Sequence, residues 1–431
     1  MLRTIAHRVC LAWAAITFSA ASAFAAGPPP APSEPVTDTF FGVRVDDPYR
    51  NLENVKSPQT QAWFKAQAEY GEQILSRIAI RDEMAQRVAE LGRSSGDLVR
   101  EVLRMPGERI YYLKRPAGGS QFKLVMRVGL KGAERVLVDP EQLAKATGVP
   151  HAINYFTPSW DGRTLAYGIS AGGSEDASLH LMDIASGKPI GTPIPRVRES
   201  YVSWAPDSRH LAYNQVRELP DGAPDTETFL DTTVFLLKVG EPASRARPLF
   251  GPLVDKTLQL ERIDVGSIYF TPGGRYMVAR TTDTTVPEGK LFVAPVADLG
   301  LPQVAWRPIS VFDDRITDAR LYGDTLYLRT TKGAPRGRWL ALDLRLRDGG
   351  VKMAKVAIDE PSRGVLKGIV IGRGGTLYAE VSEGFGTRTL RYGAPGQAPV
   401  DMAPGVIGSA FAIDDPAHGH ADLWVFTISW N

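Results

Sequence analysis

Cysteine is almost absent from this 431-residue chain: the single Cys10 lies in the first apolar stretch. Everything beyond it therefore has no disulfide framework, no thiolate nucleophile and no cysteine-based metal site. Charge of one sign is also lacking, with 50 basic against 48 acidic residues and a formal net charge of +2. That balance offers no electrostatic handle to nucleic acid or to an anionic membrane, and neither is expected as a partner. After the N-terminal stretch, no run approaches the roughly 18–20 apolar residues needed to span a bilayer. His-Glu-x-x-His and EF-hand patterns are missing. So is a phosphate loop: Gly187-Lys188 is followed by Pro189 and Gly289-Lys290 by Leu291, where that motif ends in Gly-Lys-Ser/Thr. No cofactor is expected.

What is present begins with a leader. Arg3, His7 and Arg8 precede an apolar, small-residue run from Val9 to Ala26 that contains Ala23-Phe24-Ala25, a cleavage-site pattern. Residues 1–25 read as a signal peptide and 26–35 as a stiff Pro-rich linker. The mature protein is expected in the periplasm or outside the cell. From 36 to 96 the chain reads as helical. Trp63, Phe64, Gln67, Tyr70, Ile74 and Leu75 recur at three- and four-residue steps, and Met84, Val88 and Leu91 continue after a break near Ile80-Arg81.

Glycine and proline are plentiful, 42 and 32 residues, and from about residue 97 they punctuate a repeat. Tyr155-Phe156-Thr157-Pro158-Ser159-Trp160-Asp161-Gly162-Arg163-Thr164-Leu165-Ala166-Tyr167 is echoed by Tyr201-Val202-Ser203-Trp204-Ala205-Pro206-Asp207-Ser208-Arg209-His210-Leu211-Ala212-Tyr213. Further copies turn at Gly107, Gly273, Gly323, Gly374 and Gly419. Each copy is a strand, an Asp/Gly turn and a strand, at the ~40–50-residue period of four-stranded blades. The fold class is mainly β: a seven-bladed β-propeller over residues 97–431, with an array of β-sandwiches as the alternative. The final Trp424-Val425-Phe426-Thr427-Ile428-Ser429-Trp430-Asn431 reads as a strand with no outer partner, so the last blade is expected to be incomplete.

Asp46-Asp47-Pro48-Tyr49-Arg50-Asn51-Leu52-Glu53-Asn54 is similar to the Asp-Pro-Tyr-Arg-Trp-Leu-Glu-Asp motif of the prolyl oligopeptidase family, departing from it at Asn51 and Asn54. Tyr167-Gly168-Ile169-Ser170-Ala171-Gly172-Gly173-Ser174-Glu175 resembles a second run of that family, and Thr331-Lys332-Gly333-Ala334-Pro335-Arg336 a later blade motif. The resemblance implies a serine endopeptidase acting on short proline-containing peptides, with the propeller capping an α/β-hydrolase domain. It implies that residues 36–96 pack on that domain, and that the Ser-Asp-His triad lies in a segment following the propeller. The chain as given is expected to carry no catalytic residue and to be inactive alone. The alternatives are a non-catalytic binding propeller, or a subunit complemented by a separately encoded hydrolase domain.

Several residue patterns mimic sites. Gly168-Ile169-Ser170-Ala171-Gly172 matches the nucleophile-elbow pattern, but that motif needs a strand turning sharply into a helix. Here a second alternating strand, Ser178 to Asp183, follows, so Ser170 and Ser174 read as blade and turn residues. His418 and His420 stand near Asp414, Asp415 and Asp422; a metal site there is conceivable, but a polar loop is the expected reading. His151, His180 and His210 read as blade residues. Arg196, Arg198, Glu199 and Arg280 are charges that could line the propeller face, and Glu199 and Arg280 are the candidates for facing a substrate.

Overall fold

The computed structural model describes residues 27–429 apart from 95, 199–200, 221, 284 and 394–396. The leader over residues 1–25, with Cys10, and the candidate Glu199 lie outside the described residues. The chain falls into two compact units, one before residue 96 and one from Gly96 onward.

The first unit is not helical throughout, as its sequence suggested. It opens with an antiparallel hairpin of β1 (Val36–Phe40) and β2 (Val43–Asp47). Phe41 and Gly42 both adopt positive φ, 51° and 84°, the geometry of a two-residue turn that follows the strand twist. The Asp-Pro-Tyr-Arg motif then locks the hairpin. Asp47 accepts the Tyr49 N–H at 2.9 Å, and the Arg50 guanidinium joins Asp47 to Asp38. Helix α1 (Pro58–Leu75) starts at a proline whose missing N–H is one that a first turn cannot use anyway. Trp63 and Gln67 on α1 both donate to the Pro29 carbonyl, at 3.2 and 2.6 Å, and so pin the linker. Helix α2 (Arg81–Ser94) is tied to α1 by a forked Arg81–Glu72 pair at 2.8 and 3.0 Å. Neither helix covers its apolar stripe: Phe64, Ile74, Leu75, Met84, Val88 and Leu91 are all exposed.

The second unit is a β-propeller with six blades among the described residues. Five blades have four antiparallel strands. The first holds β3 (Leu98–Met105), β4 (Arg109–Arg115), β5 (Lys123–Val128) and β6 (Arg135–Val138). Helix α3 (Pro140–Thr147) follows, capped by the Asp139 side chain. The second blade has three strands, β7 (His151–Pro158), β8 (Thr164–Ala171) and β9 (Ser178–Asp183). Isolated bridges from Leu179 to Ile194 and Met182 to Pro189 stand where its outer strand would lie. The third comprises β10 (Val202–Trp204), β11 (His210–Gln215), β12 (Thr233–Lys238) and β13 (Arg247–Phe250). The fourth comprises β14 (Val265–Tyr269), β15 (Tyr276–Thr282), β16 (Leu291–Pro295) and β17 (Arg307–Ser310). The fifth comprises β18 (Ile316–Tyr322), β19 (Thr325–Thr330), β20 (Arg338–Asp343) and β21 (Lys355–Ile358). The sixth comprises β22 (Val365–Ile371), β23 (Leu377–Glu383), β24 (Gly386–Tyr392) and β25 (Val400–Asp401). A two-stranded hairpin of β26 (Gly408–Ala412) and β27 (Val425–Ser429) comes last. Its connection is the loop 413–424, so Gly419 sits within a long loop rather than in a tight turn.

The turns anchored at Gly107, Asp161, Asp207, Gly273, Gly323 and Gly374 all join the first and second strands of a blade. Outer strands obey a different logic. β13 and β17 carry Pro248 and Pro308, which an edge tolerates because the missing N–H would face away from the sheet. In blades one, three, four and five the register between the third and outer strands shifts, which twists the free edge and discourages pairing with another chain.

The core lies between blades. One cluster unites Leu179, Val202, Trp204 and Tyr213 from blades two and three. Another unites Phe250, Ile268, Phe292 and Trp306 from blades three and four. Tryptophan rings fill these seams and hydrogen-bond across them. Trp204 donates to the Thr157 carbonyl at 3.0 Å, Trp306 to Leu249 at 3.3 Å and Trp339 to Lys367 at 3.0 Å. At the closing seam, Trp424 packs against Ile110, Tyr112 and Val125 of the first blade. There Arg104, buried on β3, donates to the carbonyl and side chain of Asp422 at 3.0 and 2.9 Å, and its guanidinium lies 4.2 Å over the Trp424 ring. Side chains, with the Arg104 N–H to Asp414 carbonyl bond at 3.4 Å, thus close the ring.

Candidate functional site

The first strand of each blade faces the axis, and the residues they project inward line a central channel. β10, β14, β18 and β22, with the loop after β26, enclose a cavity of about 350 Å³. Tyr201, Tyr269, Asp318, Arg320, Asp414 and His418 supply its polar wall. Asp318 accepts from the Arg320 guanidinium at 2.5 Å and from the Ala319 N–H at 2.8 Å. Tyr269 has its hydroxyl pushed up to about 12 by burial. Asp414 is open to water by area, yet the surrounding wall pushes its carboxyl above the ordinary carboxylate value, against the pull of Arg320 and His418. That combination describes a group in a narrow wet channel.

Arg280 stands where this cavity meets a second one of about 310 Å³, lined by Tyr201, Phe229, Val265 and Pro287. Its Nη2 donates to the Pro287 and Thr317 carbonyls, both at 2.9 Å, so the side chain bridges blades four and five. On the same face Arg198 pairs with Asp176 at 2.8 Å and lies 5.7 Å from the Phe229 ring. These residues, with Asn154, Ser174 and Glu175, border a third cavity of about 560 Å³. Arg196 has positive φ, 60°, and is consumed by the Val216 carbonyl at 3.1 Å and Glu218 at 3.3 Å.

Ser170 lies within β8, opposite Ala152, and is buried. β8 runs on through Ala171 into a turn at Gly172 and Gly173 and then into β9, with no helix to present an exposed oxygen. Gly168 has a packing reason of its own: a Cβ there would stand 2.3 Å from the Tyr155 ring. Ser174 closes the turn through the Ala171 carbonyl at 2.9 Å. The histidines are equally committed. His180 stacks on Tyr167 at 5.2 Å, and burial holds its proton affinity below the ordinary histidine value. His151 bonds the Val149 carbonyl at 2.8 Å and His210 bonds Asp207 at 2.6 Å. His418 is part of the channel wall, whereas His420 turns to Asp415 at 3.0 Å and Glu108 at 3.8 Å. Among the described residues, no three His, Asp or Glu side chains converge as a metal site. The sequence singled out Arg280 but missed Tyr269, Asp318 and Arg320. They share an address, the first strand of a blade, that only the closed ring reveals.

Comparison with known proteins agrees with this architecture. A family model described as the prolyl oligopeptidase N-terminal β-propeller domain matches residues 28–389. The prolyl endopeptidases of Elizabethkingia meningoseptica and Elizabethkingia miricola are each 26% identical over 306 residues, 70% of this chain and 40% of theirs. The chain thus spans well under half the length of these curated relatives. Among solved structures, a prolyl endopeptidase studied for its inter-domain dynamics superposes with a TM-score of 0.76 at 22% identity, over 94% of this chain and 60% of that one. Prolyl oligopeptidase B of Galerina marginata, bound to a 25-residue macrocyclization substrate, gives 0.75 at 18% identity, over 93% and 57%. At such identities these two likenesses speak for the fold alone. The family match, which takes in most of the chain, and the blades on which it falls make the protein a member of the prolyl oligopeptidase family, represented here by its N-terminal, propeller portion.

Proposed function

We propose that this chain is the peptide-receiving part of an exported prolyl-oligopeptidase-like serine endopeptidase that acts on short proline-containing peptides. The carrying observation is the family match over residues 28–389, combined with a Ser170 held inside a blade strand. The bond-breaking Ser, His and Asp would then belong to a hydrolase domain outside these residues, joined in one polypeptide or made separately. The uncovered stripe of α1 and α2 supports a docking role toward that domain. The β26–β27 hairpin is the inner half of a seventh blade in this reading. Residues 1–25 serve as the export signal, and Arg280, with Glu199, faces the peptide.

The propeller's share of the work is to admit and hold the peptide, while the hydrolase serine attacks the carbonyl, histidine carries the proton and aspartate orients it. The test is hydrolysis of a proline-containing chromogenic peptide by the purified chain from Ala26, with and without a serine-directed phosphonate. No turnover and no covalent labelling are expected; phosphonate-sensitive turnover would overturn the reading. A second reading, a binding propeller without chemistry, is favoured by the polar channel, and it predicts peptide binding with no hydrolase partner. Fractionation of cells producing the full chain tests export, with release of the processed form from the periplasm as the expected result.

A further inference from the structure

Arg280 and Arg320 face Asp318 and Asp414 across the cavity, but they are unevenly paired. Arg320 holds Asp318 at 2.5 Å, and Arg280 directs its Nη2 to two carbonyls. That leaves one carboxylate of the lining, Asp414, and a second behind the wall, Glu380. Glu380 on β23 reaches past a bulge in β22, where a Cβ on Gly368 would stand 3.7 Å from its Oε2. Burial raises its carboxyl above the ordinary value while the Ala412 N–H and Arg320 pull the other way. Asp414 stands two residues after β26 and lines the cavity, and it forms no ion pair among the described residues.

The backbone around Asp414 is held firmly. Its carbonyl accepts the Arg104 N–H at 3.4 Å, bringing the last loop to the first blade. Four residues on, the His418 N–H donates to the Asp415 carbonyl at 2.8 Å, with His418 at a positive φ of 51°. The His418 ring is fixed by the Ile371 carbonyl at 2.7 Å and by Tyr322, edge to face at 5.1 Å. A non-glycine residue in this conformation persists only where its surroundings impose it. The result is a carboxylate placed in a confined, partly aromatic space, near Arg320 and His418 but in no ion pair of its own among the described residues.

We propose that the central channel contains a binding site for a positively charged nitrogen group of a peptide, with the Asp414 carboxylate as its counter-ion, Glu380 adding to the negative field and Tyr269 forming part of the wall. The inference rests on the reading that this propeller receives peptides, and adds which end or side chain it grips. The α-ammonium of a free N-terminus and the side chain of a lysine offer the same chemistry. A charge-assisted contact in a confined site is stronger than one on an open surface, and it would orient a peptide along the axis.

Titration calorimetry of the purified chain at low salt tests this with three peptides. One is a proline-containing pentapeptide with a free N-terminus and no basic residue, the second its N-acetylated twin, and the third the acetylated twin carrying one lysine. Acetylation is expected to weaken binding about tenfold, equivalent to ~1.4 kcal/mol. Asp414→Asn is expected to bring the free peptide down to the acetylated value, while Ser170→Ala leaves the difference intact. Recovery by the lysine peptide assigns the site to any ammonium; no recovery assigns it to the chain terminus. Rising salt should narrow the difference in the unsubstituted chain without erasing it, a check that needs no variant. Equal binding of all three peptides, or discrimination that survives Asp414→Asn, overturns the site and leaves the peptide-receiving reading standing. Absence of binding by every peptide overturns both.

Discussion

At Gly168 a motif associated with nucleophiles is explained by packing. The Tyr155 ring lies against that glycine, and Tyr155 cannot step aside because its hydroxyl donates to the Val197 carbonyl at 2.8 Å. Gly168→Ala should therefore overpack the seam between blades two and three and cost about 1–3 kcal/mol. Ser170→Ala removes only a hydroxyl from a strand and should stay within about 1 kcal/mol. Urea unfolding of both variants checks the contrast; a costly Ser170→Ala beside a silent Gly168→Ala would refute the packing account. Asp414 gives the pH-dependent case. Its folded-state carboxyl is raised above the ordinary 3.8, with burial the largest cause. A raised value means that ionisation is harder in the folded than in the unfolded chain, so stability is lost as pH rises through the folded value. Asp414→Asn should raise Tm at pH 7, modestly because the side chain reaches water, and the gain should vanish near pH 2, where the carboxyl is protonated in both states. A gain that persisted at pH 2 would mean that charge is not its source. A residue that costs stability in the free protein is what a ligand-binding group resembles.

At the scale of elements, the closing seam depends on Arg104. Its side chain is only 5% exposed, whereas that of Asp422 is 63% exposed, so the pair is screened from one side only. The packing of the guanidinium on Trp424 is the drier part of the clasp. Arg104→Ala should cost about 1–3 kcal/mol, combining a charged hydrogen bond with a cation–π contact. Arg104→Lys should recover only part of this, because an ammonium has no planar fork. Hydrogen exchange should quicken first in β3 and β26; uniform quickening through all blades would argue against a local clasp. These elements were unequally legible in the sequence. The turns at Asp161, Asp207 and Gly273 could be read because turn chemistry is local. Short outer strands such as Arg247–Phe250 could not, since their proline and their exposed alternate residues resemble a loop. The β1–β2 hairpin hides in a segment that reads as helical, because its turn, Phe41-Gly42, is not one of the common turn pairs. In the sequence Asp414 stands only as a neighbour of the His418/His420 pair, a conceivable metal site read there as a polar loop. The place of Asp414 and His418 in a channel wall with Tyr269 and Arg320 arises from ring closure, which no local pattern encodes.

Across the whole molecule the two units stand in contrast. The blades bury large side chains completely, Trp204, Trp339, Tyr213 and Phe250 among them, and each such burial is worth roughly 1.5–3 kcal/mol. In α1 and α2, of 18 and 14 residues, Thr60 alone is buried. Helices of that length owe most of their stability to a covered apolar face. Here Val88 is 67% and Met84 58% exposed, so the forked Arg81–Glu72 pair, itself at the surface, is left to hold the two helices together and contributes little. Native-state hydrogen exchange should accordingly find the amides of residues 58–94 exchanging about two orders of magnitude faster than those of β8, β11 and β15. Supplying a hydrolase domain from a relative in trans should slow the helical amides selectively and leave the blade strands unchanged. Helical protection already equal to that of the blades would show that the stripe is covered in the chain as it stands, and the docking role proposed for it would have to be abandoned.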